Sequence, residues 1–150
     1  MPKAETELII IEKTHELLVW TLKHIEKFPR SHRYGVGLRL EQRITDMLEH
    51  LLRAKYSRER LTELQNINLE LELLRFQFRA VKDLGCLSIE SYGSASRFVN
   101  EIGKLLGGWM KQCDARRGQN EALMKGLGHE TLRKPVAGTD QLSQPVDGRP

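Results

Sequence analysis

Residues 33–56 read RYGVGLRLEQRITDMLEHLLRAKY, and the spacing of their small and apolar residues predicts the fold class. Six such residues recur at intervals of three or four: Gly37, Leu40, Ile44, Met47, Leu51 and Ala54. Because an α-helix has 3.6 residues per turn, this spacing places all six on one face. The stretch is therefore predicted to be an amphipathic helix, running roughly from Arg33 to Tyr56, that packs against other helices.

A helix is predicted on the N-terminal side, beginning near Thr6 and ending near Phe28 because Pro29 follows. Its main face is predicted to consist of Ile11, His15, Leu18, Leu22 and Ile25. Four further residues widen that face: Ile10, Leu17, Trp20 and Phe28. His15 is interpreted as a partly buried, hydrogen-bonded core residue.

A third helix is predicted after Ser57, a good N-cap, and ends at Gly85, a typical C′ residue. Its buried seam is predicted to follow a near-heptad spacing: Leu61, Leu64, Asn68, Leu71, Leu74 (or Arg75), Phe78 and Val81. Asn68 is the polar interruption of this seam, a position that often fixes helix register.

The fourth predicted helix opens near Ser88 or Ser91 and has a weaker pattern, interrupted by glycines. Its inner positions are predicted to be Tyr92, Ala95, Val99, Ile102, Leu106, Trp109 and Cys113. The pattern ends at Arg116. We therefore predict a four-helix bundle over residues 1–115 and a disordered C-terminal tail over 116–150, with at most one short helical turn at 123–127.

The positions of proline and the absence of a strand pattern agree with an all-α fold. Residues 30–134 contain no proline, and no segment shows sustained alternation of apolar and polar residues. Four helices joined by short loops favour an up-down-up-down antiparallel four-helix bundle.

Composition limits the class of protein. The chain has 150 residues, 24 Lys and Arg against 20 Asp and Glu, and a formal net charge of +4. Two cysteines do not make a disulfide framework or a zinc site. The early apolar run, residues 8–11, is too short for a signal peptide or a membrane span. We expect a cytoplasmic protein with no membrane association.

Positive charge is concentrated in residues 29–60, which carry a net charge of +4. Arginine predominates there, and its planar guanidinium suits bidentate contact with phosphate or carboxylate. The residues predicted to bind nucleic acid or an acidic protein surface are Arg30, Arg33, Arg39, Arg43, Arg53, Lys55, Arg58 and Arg60. The alternative is a solvated helix face with no binding role.

No catalytic motif is evident. The five histidines do not form metal-binding spacings, and Gly35-Val36-Gly37 lacks the strand and the Lys-Ser pair of a phosphate loop. We expect no enzymatic activity, no catalytic residues, no metal and no cofactor. A metal-dependent bundle enzyme is the least favoured alternative.

Several of these residues resemble a known bacterial family. The stretch Glu26–Tyr34, EKFPRSHRY, with Gly37 and Arg43-Ile44, is similar to that family's EKFPKS-R-G-RI pattern. The run Glu49–Tyr56, EHLLRAKY, continues the similarity, as does the third predicted helix. Over about residues 6–113 the chain resembles the four-helix-bundle family of diversity-generating retroelement accessory variability proteins (Avd) and 23S ribosomal RNA intervening-sequence proteins.

The resemblance implies more than the spacing does. Avd-type proteins form homopentameric barrels with a positively charged surface, bind the retroelement's reverse transcriptase, and bind RNA and DNA largely independently of sequence. They support mutagenic retrohoming, whose chemistry belongs to the reverse transcriptase. The alternative that the resemblance leaves open is an intervening-sequence-type structural oligomer with no nucleic-acid role.

Overall fold

The computed structural model describes the backbone of residues 3–133 and the side chains of residues 5–127. Its helices are α1 (Lys3–Ile25), α2 (Arg30–Arg33), α3 (Val36–Tyr56), α4 (Arg60–Asp83) and α5 (Ile89–Arg133). No strand occurs in this described part of the chain. The all-α prediction is confirmed, with the added detail that a single helical turn, α2, precedes α3.

Helices α3 and α4 run antiparallel. The Arg43 Nε donates a hydrogen bond to Gln77 Oε1 at 2.7 Å. Two turns further along α3, His50 Nδ1 lies 2.7 Å from Glu70 Oε1. Residue numbers therefore rise along α3 as they fall along α4.

Helices α4 and α5 are also antiparallel neighbours. The Arg75 Nη1 donates to Asn100 Oδ1 at 2.6 Å, and Lys82 Nζ lies 4.7 Å from the centre of the Tyr92 ring. The turn between these helices contains Gly85, whose φ of +81° is a left-handed conformation that glycine adopts without strain.

Helix α5 returns alongside α1 and completes the bundle. The Lys13 Nζ lies 3.0 Å from Glu101 Oε2, and the Trp20 and Phe98 rings are 6.2 Å apart between centres. These contacts make α1 antiparallel to α5. The predicted up-down-up-down arrangement of four long helices is confirmed, with α1 and α4 diagonal to each other.

The predicted core positions of α3 are all buried, from Gly37 to Ala54. In α5, five of the seven predicted inner residues are buried, and Tyr92 and Cys113 are half-buried. These two helices have one strongly apolar face each, so their spacing identifies the buried side correctly.

The predicted face of α1 is wrong in part. His15 and Leu22 are exposed, whereas Thr14 and Thr21 are buried. Each threonine hydroxyl donates to the carbonyl oxygen four residues earlier, at 2.8 Å and 2.7 Å. Because this bond satisfies the hydroxyl within the helix, a threonine can occupy a core position without a partner on another helix.

The predicted seam of α4 is shifted at one position. Ile67 is buried and Asn68 is exposed, so Asn68 does not fix the register of the bundle. Leu61 is half-buried, and the other predicted seam residues are buried. The buried residues of α4 therefore follow one another at intervals of three and four residues, and all of them are apolar.

The chain divides into two compact units, residues 1–114 and residues 115–150. The core belongs to the first unit. In the second unit the described side chains, residues 115–127, are all exposed. The tail predicted from residue 116 is helical as far as Arg133, because this stretch is rich in good helix formers and precedes the proline at 135. Residues 134–150 lie outside the described chain, and their disorder stays a prediction.

Candidate nucleic-acid interface

The eight predicted binding residues do not form one patch. Arg30 lies in α2 and Arg39 in the first turn of α3, whereas Arg53 and Arg58 lie at the opposite end of α3 or beyond it. A helix rises 1.5 Å per residue, so the backbones of Arg39 and Arg53 are about 21 Å apart. A dense cluster in the sequence is therefore divided between the two ends of the bundle.

Arg33 stabilises a turn. Its Nη2 donates to the carbonyl oxygen of Glu26 at 2.9 Å and to that of Phe28 at 3.3 Å. These carbonyls follow the last turn of α1, where backbone acceptors have no helical partner. The Arg33 side chain is half-buried, and its guanidinium is engaged by these two backbone carbonyl groups.

Arg60 has a similar structural role at the other end. Its Nη2 donates to the Lys55 carbonyl oxygen at 2.8 Å, which joins the start of α4 to the end of α3. Its Nη1 lies 3.9 Å from Oε1 of Glu7, whose side chain is 7% exposed. Both Arg33 and Arg60 are thus poorly placed to contact a partner.

The other six predicted residues vary in their availability. Arg43 is hydrogen-bonded to Gln77, and Arg53 Nη2 lies 2.6 Å from Glu49 Oε1. Lys55 Nζ lies 5.5 Å from the centre of the adjacent Tyr56 ring. Within residues 5–127, three exposed members form no ion pair and no side-chain hydrogen bond: Arg30, Arg39 and Arg58.

A second basic surface, which was not predicted from the sequence, lies across α4 and α5. We call it the α4–α5 basic face, and it consists of Arg75, Arg79, Lys82, Arg97 and Lys104. On α4 its members are spaced by four and three residues, so they share one side of the helix. The segment containing α4 has a negative net charge, so a count of charge by segment does not reveal these basic residues. The i, i+4, i+7 spacing of the basic residues is the signal that would have identified it.

Two contacts bring the α4 and α5 stripes together. Asn100 shares a side of α5 with Arg97 and Lys104, and Asn100 is hydrogen-bonded to Arg75. Next to it, a Cβ built on Gly103 would lie 3.2 Å from the Arg75 Nη2. The absence of a side chain at Gly103 lets the guanidinium rest against α5.

The α4–α5 basic face is only partly neutralised. Glu72 lies 3.2 Å from Arg75, and Asp83 lies 3.4 Å from Lys82. Arg79 and Lys104 are exposed and have no carboxylate partner within the described residues. A polyanion that binds these two residues replaces water, not an existing ion pair.

The bundle also exposes two apolar surfaces. The first, the α4 stripe, consists of Leu69, Leu73 and Phe76, which are 62%, 41% and 65% exposed. The second, the α1–α3 apolar face, consists of Leu8, Val19, Leu22, Leu38 and Leu52. Because α1 and α4 are diagonal, the two surfaces lie on different sides of the bundle. Groups of exposed apolar side chains such as these are candidate contact sites with other proteins.

The described residues can be compared with the geometry of metal sites and of membrane-spanning helices. No three His, Cys, Asp or Glu side chains there are placed to hold a metal ion. None of the described helices combines the length and the apolar character needed to cross a membrane.

Comparison with known proteins identifies the family. No curated protein sequence matches the chain. The family model described as bAvd-like matches residues 8–113, more than two thirds of the chain. The match includes all of α3 and α4, most of α1 and the first part of α5, and it ends one residue before the first unit does. It confirms the resemblance seen in the EKFPRSHRY and EHLLRAKY stretches, and the chain therefore belongs to the bAvd-like family.

Proposed function

We propose that this protein is an accessory variability protein of a diversity-generating retroelement. In this role it binds the reverse transcriptase together with RNA and DNA, and supports mutagenic retrohoming. It contributes binding and positioning, and the polymerase performs the chemistry, so the protein has no catalytic activity of its own. Membership of the bAvd-like family supports this proposal.

The observation that carries the proposal is the α4–α5 basic face. Its five cations lie on adjacent stripes of two packed helices, and two of them lack a carboxylate partner within the described residues. Phosphate groups along a nucleic-acid backbone fit such a surface without any base-specific contact. Binding is therefore expected to be largely independent of sequence and to weaken steeply as salt concentration rises.

The predicted residues outside this face contribute at the two ends of the bundle. Arg30 and Arg39 provide unpaired cations at one end, and Arg58 provides one at the other. Three further residues can bind phosphate or carboxylates of the polymerase if they give up their present contacts: Arg43, Arg53 and Lys55. Arg33 and Arg60 are excluded from this proposal because they hold turns of the fold.

Assembly into a homopentameric barrel is part of the same proposal. The α4 stripe and the α1–α3 apolar face are different surfaces, so their mutual contact between copies is heterologous. Heterologous contacts close into rings when the rotation between subunits permits it. Five copies of a chain with net charge +4 carry +20, which strengthens attraction to nucleic acid.

The test is a binding measurement on the purified full chain across a salt series, with its mass determined by light scattering. The ligands are RNA, single-stranded DNA and the reverse transcriptase of a diversity-generating retroelement. The variant Arg79→Glu/Lys104→Glu should weaken RNA binding at least tenfold, with the same mass and helicity as the unaltered chain. The matched control is Arg116→Glu/Lys125→Glu, which makes the same charge change outside the family match.

The result also separates the alternative function. A ring-sized oligomer that binds neither nucleic acid nor polymerase would contradict the accessory role and favour a structural oligomer. Equal weakening by the test and control variants would mean that net charge alone, and not the α4–α5 basic face, determines binding.

A further inference from the structure

The turn between α1 and α3 combines an exposed aromatic ring with a concentration of cations. Residues 23–40 contain five Lys and Arg side chains and one acidic residue, Glu26. Tyr34, at the C-cap of α2, is 71% exposed. No ring contact or cation–π contact engages Tyr34 within the described residues. Such exposure of a large ring serves no packing purpose.

Two of the unpaired arginines lie within about one helical turn of this ring along the backbone. Arg30 begins α2, and Tyr34 has right-handed helical φ and ψ values, so the two are at i and i+4 of one helical turn. Side chains at this spacing are neighbours on a helix surface. The Arg39 backbone N–H donates to the Gly35 carbonyl oxygen at 3.1 Å, which places Arg39 one helical turn beyond Gly35, the residue that follows Tyr34.

The turn that carries these side chains is held in place by contacts with the rest of the bundle. The Arg33 guanidinium holds the Glu26 and Phe28 carbonyls. A Cβ built on Gly37 would lie 3.1 Å from Ile25 Cγ2, so α3 approaches the end of α1 closely there. A ring on a rigid turn loses little conformational entropy when it binds a ligand.

From this placement we infer that Tyr34 stacks on a base of single-stranded nucleic acid while Arg30 and Arg39 bind the flanking phosphates. An aromatic platform within a basic surface is the combination that single-strand-binding proteins use. Duplex bases are stacked on one another and do not offer a free face, so the site favours single strands. This inference rests on the proposed nucleic-acid-binding function and assigns a ligand class to one end of the bundle.

Tyr56, at the opposite end, is the natural comparison. It is 79% exposed, but Lys55 already lies near its ring and the neighbouring Arg53 is paired with Glu49, which leaves Arg58 as the nearby unpaired cation. The two tyrosines therefore offer similar exposure in different surroundings. Tyr56→Ala is the matched control for Tyr34→Ala.

The experiment measures binding of the full chain to a fluorescent 20-nucleotide uridine oligomer and to an RNA duplex, each across a salt series. Tyr34→Ala should weaken single-strand binding about tenfold, within the range for loss of one stacked base. Duplex binding should stay within twofold. The slope of log affinity against log salt should not change, because no phosphate contact is lost. Tyr34→Phe should bind as the unaltered chain does, because a phenyl ring also stacks.

The arginines should behave differently from the ring. Arg30→Ala should weaken binding and also reduce the steepness of the salt dependence by about 0.7, the value for one phosphate contact with a single strand. Tyr56→Ala should leave single-strand binding within twofold. Circular dichroism of each variant verifies that the helices are intact.

Two negative results have different meanings. If the unaltered chain binds RNA and Tyr34→Ala binds single strands equally well, the stacking site is refuted while the proposed function stands. The stacking site is likewise refuted if Tyr34→Ala weakens duplex and single-strand binding alike. If the unaltered chain binds no nucleic acid, the proposed function and the stacking site are both refuted.

Discussion

The Arg33 guanidinium caps the end of α1 by donating a 2.9 Å hydrogen bond to the Glu26 carbonyl oxygen. The two residues are seven positions apart, so the chain must reverse between them, and Pro29 lies in that reversal. The same nitrogen reaches the Phe28 carbonyl, and Phe28 is buried in the core. A residue that looks available for phosphate in the sequence is thus part of the turn that directs α1 into α3.

Replacing Arg33 with alanine should reduce stability more than it reduces intrinsic RNA affinity. Hydrogen bonds to a charged group contribute roughly 1.5–3 kcal/mol, and the Arg33 side chain is half-buried. We expect the free energy of unfolding to fall by about 1–2 kcal/mol, measured by urea denaturation. Arg30→Ala is the control, because Arg30 is exposed and should change stability by less than about 0.5 kcal/mol. Equal stability of the two variants would contradict the capping role.

How well each helix face is predicted depends on how one-sided the helix is. In α3 the buried residues are separated cleanly from charged ones, and the predicted seam is correct. Helix α4 also has leucine and phenylalanine on its outer side, so its apolar residues do not mark one face alone, and the predicted seam included Asn68 in place of the buried Ile67. In α1 the buried residues include threonines, which a hydrophobicity pattern does not mark as core.

The binding residues are harder to predict than the fold because charge is counted along the chain but acts through space. The arginines of residues 29–60 are close in sequence, yet α3 separates them by several helical turns. Arg75 and Lys104 are distant in sequence, yet they lie on adjacent stripes because Arg75 contacts Asn100. Helix pairing, and not local composition, determines which cations form a surface.

Gly37 and Gly107 should respond in opposite directions to alanine substitution. Alanine is favoured over glycine within a helix by about 1 kcal/mol. At Gly107 a new Cβ meets nothing within 4 Å, so Gly107→Ala should raise the free energy of unfolding by about 0.5–1 kcal/mol. At Gly37 it would lie 3.1 Å from Ile25 Cγ2 and 3.2 Å from the His32 carbonyl oxygen.

Neither neighbour of Gly37 moves easily, since Ile25 is buried and the His32 oxygen belongs to the backbone of α2. Gly37→Ala should therefore lower the free energy of unfolding by about 1 kcal/mol or more, despite the gain in helix propensity. Thermal and urea denaturation of both variants provide the comparison. Stabilisation of both would show that α1 and α3 can separate at this point.

Glu70 should make stability depend on pH. Burial raises the pKa of its carboxyl group above the ordinary 4.5, and nearby Asp46 acts in the same direction, whereas His50 and Arg43 oppose the shift. In the interval between the ordinary and the raised pKa, the folded chain holds a proton that the unfolded chain releases. The contribution of this group to the free energy of unfolding therefore decreases as pH rises through that interval.

Glu70→Gln removes this contribution while keeping the size of the side chain. We expect the difference in unfolding free energy between the variant and the unaltered chain to grow in favour of the variant as pH rises above 4.5. Urea denaturation at a series of pH values measures it, and ionisable groups that do not interact with Glu70 cancel in the comparison. A difference that is constant with pH would mean that the carboxyl group titrates alike in the folded and unfolded chains.

Phe76→Glu should dissociate the proposed homopentamer if the α4 stripe is a subunit contact. Phe76 is 65% exposed and lies between Leu73 and Ala80 on the outer side of α4, where it makes no contribution to the core. A carboxylate buried in an apolar interface without a partner is strongly unfavourable. Light scattering should therefore give the mass of a single 17.3 kDa chain, and circular dichroism should show unchanged helicity.

Ile89→Glu is the control for that experiment. Ile89 is more exposed still, at 82%, but it begins α5 and belongs to neither apolar surface. The control should keep the mass of the unaltered chain. If both variants stay assembled, the α4 stripe is not a subunit contact. If both dissociate, the subunit contact of the proposed homopentamer extends beyond the α4 stripe and the α1–α3 apolar face to the start of α5.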